Sequence, residues 1–157
     1  VPYRFLTYAD IWILLNLILA IVISVPAWNY YTHGTHITVA HAMGSTIGIN
    51  TMLLFASVFY ILQKERPGLF ERKKRTIQNG LLITNGALLV FWISLFGSGL
   101  VKISGKLNNE GFYQIMQKSQ PWFKLFAYSG ILIFVGLMIL IAAALILIRA
   151  KPKTGIL

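Results

Sequence analysis

Four long apolar runs constrain the fold of this chain more than any other feature of its sequence. They cover about residues 9–25, 36–62, 77–101 and 122–148. An apolar helix crosses the hydrocarbon core of a bilayer with about 17 to 25 residues, so each run is long enough to span it. Only 11% of the residues are charged, whereas a soluble domain carries about 25%. We therefore predict an all-α membrane helix bundle, in which residues 1–157 form a single transmembrane domain of four helices in a lipid bilayer.

The basic residues indicate how these spans are oriented. Of the 14 Lys and Arg residues, six lie in the segment 64–75. Four more lie on the same side, before the first span or after the last: Arg4, Arg149, Lys151 and Lys153. The opposite side carries Lys102, Lys106, Lys118 and Lys124. Cytoplasmic segments are richer in Lys and Arg, which predicts that both termini are cytoplasmic. Topology thus accounts for the net charge of +10, and we predict no nucleic-acid partner.

The segments between the spans carry few chemical features. We predict a basic cytoplasmic loop at 64–75 and a solvated outer connector at 102–120, which has room for a short surface helix at 110–118. The chain has no cysteine, so it cannot form a disulfide, ligate a metal by thiolate or attach haem covalently.

Polar and small residues inside the spans have two interpretations. Asparagine and threonine there are candidates for interhelical hydrogen bonds, which are more common than functional sites. The candidates are Asn16, Thr46, Asn50, Thr84 and Asn85. Gly97 and Gly99, near the outer end of the third span, would allow the edge of a cofactor to approach closely.

All three histidines fall within the stretch 32–44, where the second span begins. Histidine is costly in hydrocarbon unless it is paired or ligating, so this cluster indicates a site. On a helix with about 100° per residue, His41 and Met43 point roughly 200° apart. They therefore cannot hold one metal together, but each can reach a different haem beside the helix. His33 and His36 lie nearer the outer surface, where they can hydrogen-bond haem propionates or help to hold a cation.

Three other interpretations of this stretch stay open. The small residues Ala40, Ala42, Gly44, Ser45 and Gly48 suit a flat macrocycle, but equally a seam between packed helices. His41 can be a hydrogen-bonded histidine of the bundle. His33, His36, His41 and Met43 can also be ligands of copper, which accepts imidazole and thioether. The opposite faces of His41 and Met43 weaken any copper site that needs both.

The residues from Tyr31 to Met43, which read Tyr-Thr-His-Gly-Thr-His-Ile-Thr-Val-Ala-His-Ala-Met, resemble the tenth-helix signature of the haem–copper oxidase superfamily. The initial Tyr-Thr-His-Gly resembles the nitric oxide reductase branch, since oxygen reductases more typically have His-Asp-Thr there. The length and topology of the four spans are similar to those of the last four helices in the large, catalytic subunit. The resemblance implies that the chain is the C-terminal part of that subunit, within a bundle of about twelve helices.

The resemblance also implies roles for individual residues. His41 matches the ligand of a high-spin haem b at the active site, and His33 matches a residue near the haem propionates. Met43 falls where the family has a second histidine, the ligand of a low-spin haem b, so we predict that Met43 ligates this haem or only packs beside it. We take His33, Gly34, His36 and Gly44 as candidate cofactor-contacting residues.

The implied reaction is the reduction of nitric oxide to nitrous oxide in a bacterial inner membrane, with the histidine stretch toward the periplasm. The family's non-haem iron would be ligated by the remainder of the large subunit, because the carboxylates of this chain lie outside the apolar centres. A membrane-anchored cytochrome c subunit is the expected electron donor. The alternatives are an oxygen reductase or nitric oxide dismutase of the same superfamily, and a non-enzymatic copper-binding membrane protein.

Overall fold

The computed structural model describes residues 1–150, and within them every regular element is helical. The helices are α1 (Pro2–Ser24), α2 (Pro26–Thr32), α3 (His36–Met43), a π-helical segment (Gly44–Thr51), α4 (Met52–Glu65), α5 (Pro67–Leu107) and α6 (Phe112–Arg149). Four continuous helical stretches are long and apolar enough to cross a membrane: Pro2–Ser24, His36–Glu65, Pro67–Leu107 and Phe112–Arg149. The prediction of an all-α bundle with four candidate spans is confirmed. Lys151 and Lys153, part of the predicted basic side, lie outside the described residues.

Proline residues mark where the helices begin. α1 ends at Ser24 because Val25, which precedes Pro26, adopts an extended backbone conformation (ψ 123°), as residues before proline tend to do. Pro26 and Pro67 then occupy the first turns of α2 and α5, where the missing N–H group has no helical partner to lose.

Two connectors are shorter than the sequence predicts. The basic segment 64–75 was expected to be a loop, but only Arg66 interrupts the helices there, and the remaining basic residues lie on the last turn of α4 or the first turns of α5. The outer segment 102–120 is also largely helical, since only residues 108–111 separate α5 from α6. With 41 residues, α5 is about 60 Å long. It therefore extends beyond a hydrocarbon core of about 30 Å.

Two hydrophobic clusters fill the bundle. The inner cluster contains the aromatic residues Phe5, Phe55, Phe59 and Phe70 together with aliphatic residues of α5 and α6. The outer cluster contains Trp12, Ala40, Ala87, Leu88, Phe91, Leu95 and Ile133. Arg66 donates a hydrogen bond to the carbonyl oxygen of Ala150, so the α4–α5 junction and the end of α6 lie at the same end of the bundle. The histidine stretch lies at the opposite end.

Glycines allow the helices to pack closely. A Cβ atom at Gly48 would overlap the Trp12 side chain, and one at Gly136 would overlap Thr84. Gly97 and Gly99 were predicted to let a cofactor approach. Within this chain they instead make room for other residues, because a Cβ atom there would overlap Trp122 and Ile37, respectively. Small residues at these positions therefore let helix backbones approach one another, as in other membrane bundles.

A buried polar contact joins three helices between the two clusters. The indole N–H of Trp12 donates to Asn85 Oδ1 at 3.0 Å, and Asn85 Nδ2 lies 3.3 Å from the sulfur of Met52. Asn85 is therefore an interhelical hydrogen-bonding residue, as the sequence predicts. Asn16 is another, because its amide lies 3.3 Å from Ser45 Oγ on the second span. Thr84 and Thr46 instead donate to carbonyl oxygens of their own helices, and Asn50 is exposed.

Replacing Asn85 with leucine is expected to destabilise the bundle. The change leaves the Trp12 indole N–H without its acceptor, and interhelical hydrogen bonds in membranes contribute about 0.6 kcal/mol on average and up to about 1.7. We expect a lower midpoint of heat-induced aggregation for the purified protein. Asn50→Leu is the matched control, because the exposed Asn50 makes no such contact. Equal midpoints for the two variants would contradict the role of Asn85.

Candidate functional site

A tight turn between α2 and α3 carries the start of the histidine stretch. Gly34 has a φ of +70°, in the left-handed region that glycine adopts readily. Thr35 caps α3, because its hydroxyl oxygen accepts a hydrogen bond from the Ile37 N–H at 3.3 Å. The same hydroxyl donates to the carbonyl oxygen of Thr32 at 2.6 Å. The turn thus fixes where α3 starts, and with it the positions of His36, His41 and Met43.

Two residues of α5 hold this turn in place. Ser98 Oγ lies 3.2 Å from His36 Nδ1, and Lys102 Nζ donates to the carbonyl oxygen of Gly34 at 2.8 Å. His36 also meets the ring of Phe123 edge-on, with 5.3 Å between centroids. Neither Ser98 nor Lys102 was predicted to contact the turn. Their spacing of four residues, which places them on one face of α5, is the sequence signal that could have indicated it.

The three histidines do not form a common metal site. His33 is exposed in the turn, His36 packs against α5 and α6, and His41 lies more than one helical turn further along α3. Among residues 1–150, no group of three His, Cys, Asp or Glu side chains is arranged to hold a metal ion. The copper site that combines the three histidines with Met43 is therefore not formed by this part of the chain.

His41 presents an unpaired polar atom inside the bundle. Its side chain is half-buried, and its Nδ1 atom is buried without a hydrogen-bond partner among the described residues. A buried nitrogen in this state costs free energy in a medium without water. The interpretation of His41 as a hydrogen-bonded bundle histidine has no support here. A hydrogen-bond partner for Nδ1 would have to come from outside the described residues.

Met43 and Gly44 have different surroundings. Met43 is half-buried and packs against the outer cluster, so one part of its side chain contacts apolar residues while another part stays accessible. Gly44 is buried, and a Cβ atom there would lie 2.7 Å from either polar atom of the Asn16 amide. Within this chain Gly44 is therefore a helix-packing residue toward α1, and its contact with a cofactor stays a prediction.

The helix changes its pitch directly after Met43. Gly44–Thr51 is π-helical, and Thr51 Oγ1 donates to the carbonyl oxygen of Thr46, five residues back, at 2.9 Å. Such segments are rare and occur frequently at functional sites. Asn16 of α1 lies at its start. With the amide oriented to match donors with acceptors, its nitrogen lies 3.2 Å from the carbonyl oxygen of His41 and its oxygen 2.7 Å from the Ser45 nitrogen.

Comparison with known families identifies the family of this chain. The family described as cytochrome c and quinol oxidase polypeptide I matches residues 2–132. The chain belongs to this family, whose members are helical membrane oxidoreductases of the haem–copper oxidase type and typically bind haem. The predicted superfamily is thereby confirmed. Searches of curated proteins and of solved structures returned no match for the chain.

Proposed function

We propose that this chain is the C-terminal part of the catalytic subunit of a nitric oxide reductase in a bacterial inner membrane. The observation that carries the proposal is the position of His41 within a helix that is long and apolar enough to span a membrane, in a chain of the haem–copper oxidase family. The Tyr-Thr-His-Gly start of the motif favours the nitric oxide branch over the oxygen reductases. The reaction is 2 NO + 2 electrons + 2 protons, giving nitrous oxide and water.

His41 would hold the iron of the high-spin haem b through its imidazole. Because Nδ1 is buried by this chain, the other ring nitrogen, Nε2, would hold the iron. Ligating histidines usually donate the remaining ring proton to a carbonyl or carboxylate, and for Nδ1 this acceptor would come from outside the described residues. The bound haem would supply the site where nitric oxide binds and receives electrons. The residues of this chain fit such a group, since His41 is half-buried and lies on a helix whose start is fixed by Thr35 and Gly34.

Met43 would hold the low-spin haem b that passes electrons to the active site. Its spacing from His41 within α3 directs the two side chains about 200° apart, which suits two separate haems. A thioether ligand stabilises ferrous iron more than imidazole does and raises the reduction potential. The second ligand of this haem, and the ligands of the non-haem iron, would come from the remainder of the large subunit.

The outer end of the bundle suits contact with propionates. His33 is exposed there and the turn at Gly34 is held by Lys102, so a positive charge and an imidazole lie beside α3. A membrane-anchored cytochrome c subunit on this side would deliver electrons. In the proposed orientation this side faces the periplasm and both termini face the cytoplasm.

Spectra and metal analysis of the purified complex test this proposal. We expect reduced-minus-oxidised bands of two b-type haems, non-haem iron without copper, and nitrous oxide produced from nitric oxide with a reduced cytochrome c. Copper with oxygen consumption would instead indicate an oxygen reductase, and oxygen release from nitric oxide a dismutase. Copper binding without haem bands would reject the haem assignment altogether.

A further inference from the structure

Asn16 occupies an unusual position relative to the backbone of the second span. In a continuous α-helix the carbonyl oxygen of His41 would accept a hydrogen bond from the N–H of Ser45, four residues later. Here the Asn16 amide lies between these two groups. In the amide orientation that matches donors with acceptors, Nδ2 donates to the His41 carbonyl oxygen at 3.2 Å and Oδ1 accepts from the Ser45 N–H at 2.7 Å. The side chain of one helix is thus inserted into the hydrogen-bond ladder of another.

The neighbouring residues are arranged to allow this insertion. A Cβ atom at Gly44 would lie 2.7 Å from both the oxygen and the nitrogen of the Asn16 amide, so only glycine leaves room for the amide to reach the backbone. Ser45 Oγ also donates to the carbonyl oxygen of His41, at 3.1 Å. Asn16 itself is only 3% exposed. An amide has both a donor and an acceptor, and it therefore satisfies both backbone groups at once.

This contact coincides with the change from α- to π-helix. α3 ends at Met43 and the π-helical segment begins at Gly44, between the two residues that Asn16 joins. An inserted side chain is one of the recognised causes of a local break in the α-helical ladder. The carbonyl that Asn16 contacts belongs to His41, the residue that would hold the high-spin haem.

We propose that Asn16 is a positioning residue for His41. Its contacts with His41 and Ser45 fix the backbone conformation where the α-helix changes to a π-helix. They thereby fix the orientation of the His41 side chain. Asn16 acts through the peptide group of His41 and does not touch the haem. This inference rests on the proposed function, because it takes His41 as the iron ligand.

Resonance Raman spectroscopy of the reduced, assembled complex provides the test, since the iron–histidine stretching band reports on the bond made by His41. We expect Asn16→Leu, which keeps the size of the side chain and removes both hydrogen bonds, to shift this band. Nitric oxide reduction should fall by roughly 10-fold, the lower end of the effect of losing an outer-shell partner of a metal ligand. Asn50→Leu is the control, because Asn50 is exposed in the same π-helical segment.

Gly44→Ala provides an independent route to the same effect. The new methyl group would displace the Asn16 amide from the backbone, so this variant should shift the band in the same direction while Asn16 stays in the chain. The double variant should change the band little further, because residues that act through one contact are not additive. Gly86→Ala is the matched control, since no heavy atom lies within 4 Å of a Cβ atom there.

The outcomes separate this inference from the proposed function. A shifted band in Asn16→Leu and in Gly44→Ala, with unchanged bands in both controls, supports the inference. Unchanged bands in both test variants, with only a loss of thermal stability, would overturn it and leave the proposed function intact. The absence of haem bands from the wild-type complex would reject the proposed function, and the role of Asn16 with it.

Discussion

Replacing His41 with alanine is expected to abolish nitric oxide reduction and to remove the high-spin haem from the complex. The methyl group of alanine cannot ligate iron, and no other histidine of residues 1–150 lies within the same helical turn. Loss of an outer-shell partner already costs 10- to 100-fold in metal affinity or activity. Direct loss of the ligand should therefore lower turnover by at least about 100-fold.

The measurements are the haem content of the purified complex and its rate of nitrous oxide formation. Ser57→Ala on α4 is a suitable control, because Ser57 is exposed and donates only to the carbonyl oxygen of Leu53 in its own helix. Full haem content and wild-type turnover in His41→Ala would show that His41 is not the ligand.

Replacing Met43 with histidine is expected to lower the midpoint potential of the low-spin haem. Histidine stabilises ferric iron relative to methionine, and the axial ligand is one of the main determinants of haem potential. We expect a decrease on the order of 100 mV, since axial ligands tune haem potentials over about 0.8 V in total. The absorption spectrum of the low-spin haem should change as well.

A redox titration followed by optical spectroscopy measures both effects. Met116→His, at an exposed position in the first turns of α6, serves as the control for introducing an imidazole. If neither the spectrum nor the potential responds to Met43→His, Met43 is only a packing residue against the outer cluster. The electron-transfer haem would then have its ligands elsewhere.

The sequence predicts the four spans well because hydropathy measures what crosses the bilayer. Hydropathy underestimates the length of the helices. The first turns of α5 and of α6 precede the apolar runs and contain polar residues, so they give no hydropathy signal. Arg72, Lys73 and Lys74 thus read as a loop although they are helical. The helical state of such turns is set by continuity with the adjoining span, because an established helix gains one hydrogen bond for each residue added.

The candidate site is predictable in part for a similar reason. His41 stands out because histidine is rare in hydrocarbon, and the motif around it leads to the correct superfamily. Asn16 was predicted to form an interhelical hydrogen bond, but its partners could not be foreseen. Those partners are the carbonyl group of His41 and the N–H group of Ser45, which would bond to each other in an unbroken α-helix. No sequence pattern indicates where such a backbone hydrogen bond is replaced.

The π-helical segment makes the second span two helices that are out of phase. An α-helix turns about 100° per residue, whereas a π-helix uses more residues for each turn. The face that α4 presents to the inner cluster therefore does not continue the face that α3 presents to the outer cluster. The end of this span that carries the histidines and the end that carries Lys64 can thus meet different neighbours, each with its own pattern of apolar residues. In an uninterrupted α-helix, the packing of Phe55 and Phe59 would also determine the side of the helix on which His41 lies.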